Sequence, residues 1–276
     1  MRQKRRTSTS VLYYLLAGVL ALIFLLPFLI MVFGSLDVET KYSITLTNWF
    51  PSEFSLRTYQ NVLSLGSDMS RWFLNSAITS VIPTLCALFI CPLLGYIFAK
   101  KQFRGKNIVF WYFMIAIMVP YQATIVSNYL VYNQLGWINT YWVFLIPGMW
   151  SVIYMFMMRQ YIVTLPDALI EAAKIDGAGE WRTFLQIVMP LCKTALSTVG
   201  LFTFMNQWNN FMSALIMTTS SDMYTLVVGL ATLNSKTGSF NMQMTASVIT
   251  VLPIFIVYLF LQRYFIEGIV TGSVKG

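Results

Sequence analysis

The residues of this chain that can do chemistry are few, and they gather. In the stretch LIEAAKIDGAGEWRTFLQIVMP, Leu169 to Pro190 with Asp167 just before it, four acids (Asp167, Glu171, Asp176, Glu180) and two bases (Lys174, Arg182) stand between two apolar segments. A second group, FMNQWNNF from Phe204 to Phe211, sets the amides Asn206, Gln207, Asn209 and Asn210 around Trp208. Neither group is equipped to make or break bonds by the common routes. The chain has no histidine, which removes Ser–His and Cys–His nucleophiles and His-based metal sites. It has no G-x-x-x-x-G-K-[ST] phosphate loop, so it does not bind ATP in that manner. The expectation is no metal and no cofactor bound by this chain.

What these groups can do is dock and hold. In the first, Leu169, Ala172, Ala173 and Asp176 follow helical spacing, Pro166 suits a first helical turn, and Asp167 favours the positive end of the helix dipole. Gly177 suits a left-handed helix end, Gly179 loosens the reversal, and Glu180 starts a second helix carrying Phe184, Ile187 and Val188 toward Pro190. The spacing predicts a short helix–turn–helix along the membrane; a solvated amphipathic linker has the same spacing. In the second group, Asn206 and Asn210 lie one turn apart on one helix face. Neutral amides beside the flat ring of Trp208 suit a polyhydroxyl solute, through hydrogen bonds to hydroxyls and stacking on sugar C–H faces. Tyr121, Gln122 and Asn128, which follow Pro120, are candidates for the same path. The amides equally suit interhelical hydrogen bonds, each worth roughly 0.6–2 kcal/mol.

The elements that must position these groups are membrane spans. Hydrophobic residues make up 57% of the chain and charged ones 10%, against about 25% charged in soluble domains. Val11–Phe33 carries no charge and has no small-residue cleavage site after it, so it reads as a retained first span. Spacing between charges then predicts an all-α integral membrane protein with six transmembrane helices in a domain of residues 11–266. The spans fall at about 11–33, 72–99, 108–130, 139–158, 195–218 and 243–262, at roughly 20 apolar residues per crossing. A basic segment 1–10 precedes them, a charged loop 160–194 separates the fourth and fifth, and a tail 267–276 follows. The net charge of +8 is a membrane signature here, with no nucleic acid implied. Fourteen bases sit at one set of helix ends and four (Lys41, Arg57, Arg71, Lys236) at the other, which places both termini and the charged loop in the cytoplasm. The polar, aromatic segment Gly34–Arg71 reads as a small external cap. Cys86, Cys91 and Cys192 read as reduced packing residues.

No Asp, Glu, Lys or Arg falls inside the six cores. Proton-coupled carriers place ionisable groups there, so this absence argues against one, although Na⁺ coupling through carbonyls and hydroxyls stays open. Energy for uphill transport would enter from another polypeptide, and the charged loop is the natural point of input.

That loop also carries a resemblance. Glu171-Ala172-Ala173, Asp176-Gly177-Ala178, Phe184, Ile187 and Pro190 resemble the EAA loop of ATP-binding-cassette importer permeases. LGWINTYWVFLIP (Leu135–Pro147), QWNNFMSALI (Gln207–Ile216), YTLVVGL (Tyr224–Leu230) and the tail EGIVTGSVKG (Glu267–Gly276) resemble the carbohydrate-importer branch, the permeases similar to the smaller maltose permease subunit. The resemblance implies that residues 160–194 form a cytoplasmic coupling helix between spans 4 and 5. It implies that Glu171, Ala172, Ala173, Asp176, Gly177 and Pro190 serve coupling to a cytoplasmic ATPase dimer, which uses ATP and Mg. It further implies a second permease subunit as heterodimer partner, an extracytoplasmic solute-binding protein, a sugar as cargo and lipid around the spans. Gly34–Arg71 and the loop Ser220–Thr245 would be landing surfaces for the binding protein. A glycerol-phosphate importer of the same machinery would need cations along the path. A stand-alone channel or membrane enzyme would need a pore or reactive constellation of its own.

Overall fold

A computed structural model describes residues 2–37, 49–64, 67–237 and 239–273. Among these the structure is helical, and the β pairing is one isolated antiparallel bridge between Asp37 and Phe54. The chain divides into two compact units, residues 1–69 with 230–252, and residues 70–229 with 253–276.

In the first unit, α1 (Arg2–Ser35) is apolar from Tyr13 onward and stays exposed or half-buried until Gly34 and Ser35 at its end. A helix apolar on every face needs a nonaqueous surround. Its C-terminal carbonyls, which lack intrahelical donors, are met by side chains of α14 (Phe240–Ser273). The Asn241 amide donates to the Gly34 carbonyl at 3.1 Å and Thr245 to that of Ser35 at 3.4 Å. Gly34 allows this approach, because a Cβ there would meet Met244 and Phe240 at 3.0 Å. Phe33 gathers Trp49, Phe50 and Phe54 around it, and the short α2 (Arg57–Leu63) follows. Residues 38–48 of the anticipated external cap lie outside the described residues.

In the second unit, α3 (Ser67–Lys100) runs beside a chain of interrupted helices: α4 (Lys106–Ile117), α5 (Tyr121–Gln134), α6 (Trp142–Gly148) and α7 (Val152–Val163). After these come α8 (Asp167–Ile175) and α9 (Glu180–Thr183), a π-helical turn over Phe184–Val188, and α10 (Met189–Leu191). The unit continues with α11 (Lys193–Trp208), α12 (Phe211–Met217) and the start of α13 (Leu226–Thr237). One buried cluster joins Cys91, Tyr96, Met158, Ile162, Phe184, Val188 and Cys192. Another joins Val143, Phe144, Ala214, Met217 and Val228. Cys91 and Cys192 are therefore core residues, and the cysteines are free thiols.

The helices differ from the anticipated spans where prolines and amides intervene. Tyr13–Ser35, Asp68–Lys100, Trp142–Val163 and Phe240–Gln262 are long and apolar enough to cross a membrane. The anticipated span 108–130 is instead two helices bent by 101°. Pro120, with ψ 136°, cannot continue α4, because its ring displaces the preceding residue from helical geometry and it brings no N–H. Likewise 195–218 breaks after Trp208, and Glu180–Leu191 meets Lys193–Trp208 at 82°. In place of the anticipated 139–158, the helical stretch long and apolar enough to cross runs from Trp142 to Val163. Ser220–Thr245 is largely helix, with Leu226 and Val228 buried, because its apolar residues recur at helical spacing.

Candidate functional site

The charged stretch folds as a helix, a tight turn and a second helix. Pro166 (ψ 129°) stands just outside α8, so Asp167 opens the first turn beside the helix's free N–H groups. Ile170 and Ala173 face inward, while Glu171, Ala172, Lys174 and Asp176 are exposed. The helix ends as the sequence anticipates. Gly177 has φ 75°, its N–H donates to Lys174 O at 3.0 Å, and the Ala178 N–H reaches back to Ala173 O at 2.9 Å. Those two bonds make a Schellman cap, and they need a residue free of Cβ strain at the left-handed position. Gly179 then leads into Glu180 at the start of α9.

Of the two alanines assigned to coupling, only Ala172 faces out; Ala173 is buried. On the same face of α8 as Ala172 stand Leu169 and Ile175 (86% exposed). Glu171, Lys174 and Asp176, all exposed, stand among these open apolar side chains. Pro190 is exposed in α10 at the far end of the second helix.

Two consecutive lysines that sequence reasoning passed over bind this motif to the end of α3. Lys100 Nζ donates to Asp167 Oδ1 and to Leu165 O, each at 2.7 Å, with its side chain only 8% exposed. Lys101 Nζ pairs with Glu180 Oε2 and lies 4.9 Å above the Tyr96 ring. The Tyr96 hydroxyl donates to the same carboxylate at 3.2 Å, and Lys174 Nζ stands 3.9 Å from its other oxygen. The Lys101 hydrogen bond holds the Glu180 carboxyl below the usual carboxylate range, against partial desolvation. Burial disfavours charged Lys101, but the bonds to Glu180 and Tyr96 outweigh it and raise its pKa. A cleft of about 310 Å³ lies here, lined by Lys100, Lys101, Asp167, Glu171 and Lys174.

The second candidate group is differently placed. α11 ends at Trp208, and Asn210 takes φ −73° and ψ 74°, so Asn206 and Asn210 share no helix face. Asn206 donates its amide to the Tyr154 hydroxyl. Trp208 is 2% exposed, stacked with Phe204 at 5.5 Å and edge-on to Phe73 at 5.8 Å, which leaves no open ring face. Asn209 is exposed and Asn210 half-buried at the break. Tyr121 bonds the Ser213 hydroxyl at 2.6 Å, Gln122 is exposed, and Asn128 Nδ2 donates to Thr124 Oγ1 at 3.4 Å. An apolar cleft of about 530 Å³, lined by Leu85, Leu88, Leu196, Phe204, Val257 and Leu261 among others, contains none of these amides.

Two further amides build the opposite end of the unit. Buried Asn75 donates to Asp222 O (2.8 Å) and Tyr224 O (2.9 Å) and accepts from the Tyr141 hydroxyl (2.6 Å). Asn139, at φ 60°, accepts from the Thr219 and Ser220 N–H groups at 2.9 and 3.1 Å. Asn tolerates this left-handed geometry better than most residues, which is the signal the stretch LGWINTYW offered.

Residues 92–270 match the family described as binding-protein-dependent transport system inner membrane component. The chain is 33% identical over 279 residues to the arabinooligosaccharides transport system permease protein AraQ of Halalkalibacterium halodurans, covering 99% of this chain and 100% of that one. It is 34% identical to AraQ of Bacillus subtilis over 93% of this chain and 92% of that one. Against the sn-glycerol-3-phosphate transport system permease protein UgpE of Yersinia pestis it is 30% identical, over 94% of each. Among solved structures, a bacterial ABC transporter involved in the import of the acidic polysaccharide alginate has a chain of the same fold. The TM-score is 0.78 at 20% identity, over 96% of this chain and 98% of that chain.

Proposed function

Because the chain belongs to the family of binding-protein-dependent transport system inner membrane components, we propose that it is the membrane-spanning permease subunit of an ATP-driven oligosaccharide importer. It forms half the translocation path beside a second permease subunit and has no ATPase site of its own. The spans are α1, α3, the bent pair α4–α5, α6–α7, α11–α12 and the apolar part of α14, with both termini and α8 in the cytoplasm as the placement of the bases requires. ATP and Mg are used by a separate ATPase dimer, and an extracytoplasmic binding protein delivers the sugar.

The observation that carries this reading is α8 itself, a short amphipathic helix closed by a Schellman cap, with Glu171, Ala172, Ile175 and Asp176 turned outward. We assign Glu171, Ala172, Asp176 and Gly177 to coupling, with Ala173 and Pro190 as supports. Asn206, Asn209, Asn210, Tyr121 and Gln122 supply neutral polar groups for the solute, and Trp208 acts as packing that fixes the break. The 30% identity to UgpE favours a second reading, in which the solute is a small phosphorylated polyol. Sugar is preferred because the polar groups assigned to the path carry no cation.

The test is capture of the tagged chain from native membranes in mild detergent, with mass spectrometry of its companions and a sugar screen of the captured binding protein. A P-loop ATPase and a second permease are expected; a chain that emerges alone after cross-linking overturns the proposal. A Glu171→Lys variant is expected to lose ATPase capture and transport by about tenfold or more, with membrane insertion intact, as for a charge removed from an interface contact. Transport at wild-type rate would remove Glu171 from the coupling role.

A further inference from the structure

The motif that meets the ATPase is held at both ends by one element. Lys100 grips the start of α8 through Asp167 and Leu165 O, and Lys101 grips the start of α9 through Glu180. The two lysines are adjacent at the end of α3, a 34-residue helix. Little else ties α8 down, since only Ile170 and Ala173 of its nine residues are buried. The Lys101 contact also rests on a firm base. Tyr96 beneath it is 3% exposed and packs on Phe184 at a ring separation of 5.7 Å, and Phe184 belongs to the buried cluster with Cys91 and Cys192.

We infer that Lys100 and Lys101 form a twin clasp that makes α8 and α3 move as one body, so that displacement of α8 by a cytoplasmic partner reaches the spans through α3. This rests on the reading of α8 as the coupling helix. Lys101, Glu180 and Tyr96 are then positioning residues: they touch neither solute nor nucleotide and set how faithfully one motion follows the other. Two attachment points matter because a single one would let α8 pivot about it in any direction, whereas two leave only a hinge about the line that joins them. The Schellman cap between them fixes the spacing of the two grips.

The clasp is tested in the captured complex with Lys101→Gln, Glu180→Gln and the exchange Lys101→Glu with Glu180→Lys. Each single variant is expected to keep ATPase capture, since the outward face of α8 is untouched. Solute moved per ATP hydrolysed should fall by about fivefold or more, the low end of coupling between sites. The exchange is expected to recover most of this loss, short of complete recovery because Lys174 stands 3.9 Å from position 180. A short bifunctional thiol-alkylating cross-linker joining Lys101→Cys to Glu180→Cys is expected to preserve transport, as a permanent clasp. Single variants that transport at the wild-type cost in ATP, an exchange no better than the singles, or a bridge that stops transport each overturn the clasp alone. A wild-type chain that captures no ATPase overturns the parent reading, and the clasp's role with it.

Discussion

The second unit is tied at two ends by opposite chemistry. Around α8 the cross-links are charged and reach solvent: Lys100 to Asp167, Lys101 to Glu180, Lys174 to Glu180. Around α12 they are neutral amides capping main chain: Asn75 on Asp222 O and Tyr224 O, Asn139 on the Thr219 and Ser220 N–H groups. Partly exposed ion pairs keep most of their attraction through small displacements, because Coulomb attraction falls gradually with distance. Hydrogen bonds from amides to main chain are directional and lose most of their value with small displacements. One end keeps its attachment through small displacements, the other holds a single geometry.

The contrast is broken most severely at Asn75. Asn75→Ala strands two carbonyls and the Tyr141 hydroxyl at a site 1% exposed. A loss of about 3 kcal/mol of stability is expected, read as a lowered unfolding midpoint in detergent. A loss below about 1 kcal/mol would show that water replaces the amide and that this end is not rigid. At the other end the largest single effect is at Gly177. Nothing lies within 4 Å of an added Cβ, so Gly177→Ala is strained only by its φ of 75°, at a cost of about 1 kcal/mol. Gly179→Ala, equally open but at φ −69°, is expected to be close to neutral. If both substitutions reduce ATPase capture alike, the cap is not what shapes α8.

These two ends were unequally legible. The helix, its turn and the restart at Glu180 follow from local signals: an acid after a proline, periodic apolar residues, and a glycine where the left-handed residue falls. The helical class followed as directly from composition. What escaped was long-range or competitive. Lys100 and Lys101 find partners 67 and 79 residues away, which no periodicity reveals. An uncharged run also hides its breaks, because hydropathy is blind to whether Pro120 or the Asn209–Asn210 pair interrupts it. Once α11 stops at Trp208, the assumed one-turn spacing of Asn206 and Asn210 no longer places them together. Burial of Trp208 was hidden as well, since a tryptophan that stacks on sugar and one that fills a core look the same in sequence.

The mildest prediction concerns pH, and it separates the ion pair from every alternative account of the α8 end. Glu180 has a lowered pKa, so its contribution is present above the unfolded carboxyl pKa and is lost only as pH falls through the still lower folded value. Lys101 has a raised pKa, so its contribution is present below the unfolded lysine value and is lost only as pH rises through a higher one. Both conditions hold together across a plateau from about pH 5 to about pH 10. Amide exchange over residues 167–180, corrected for its intrinsic pH dependence, is therefore expected to be flat from about pH 6 to 9. Salt at about 1 M should speed it severalfold by screening the pairs, while leaving exchange at Thr219 and Ser220 unchanged. A slope inside the plateau would mean that the α8 end is governed by a group titrating near neutrality. No histidine is present to supply one, so flat pH behaviour joined to salt sensitivity is the signature the lysine clasp must show.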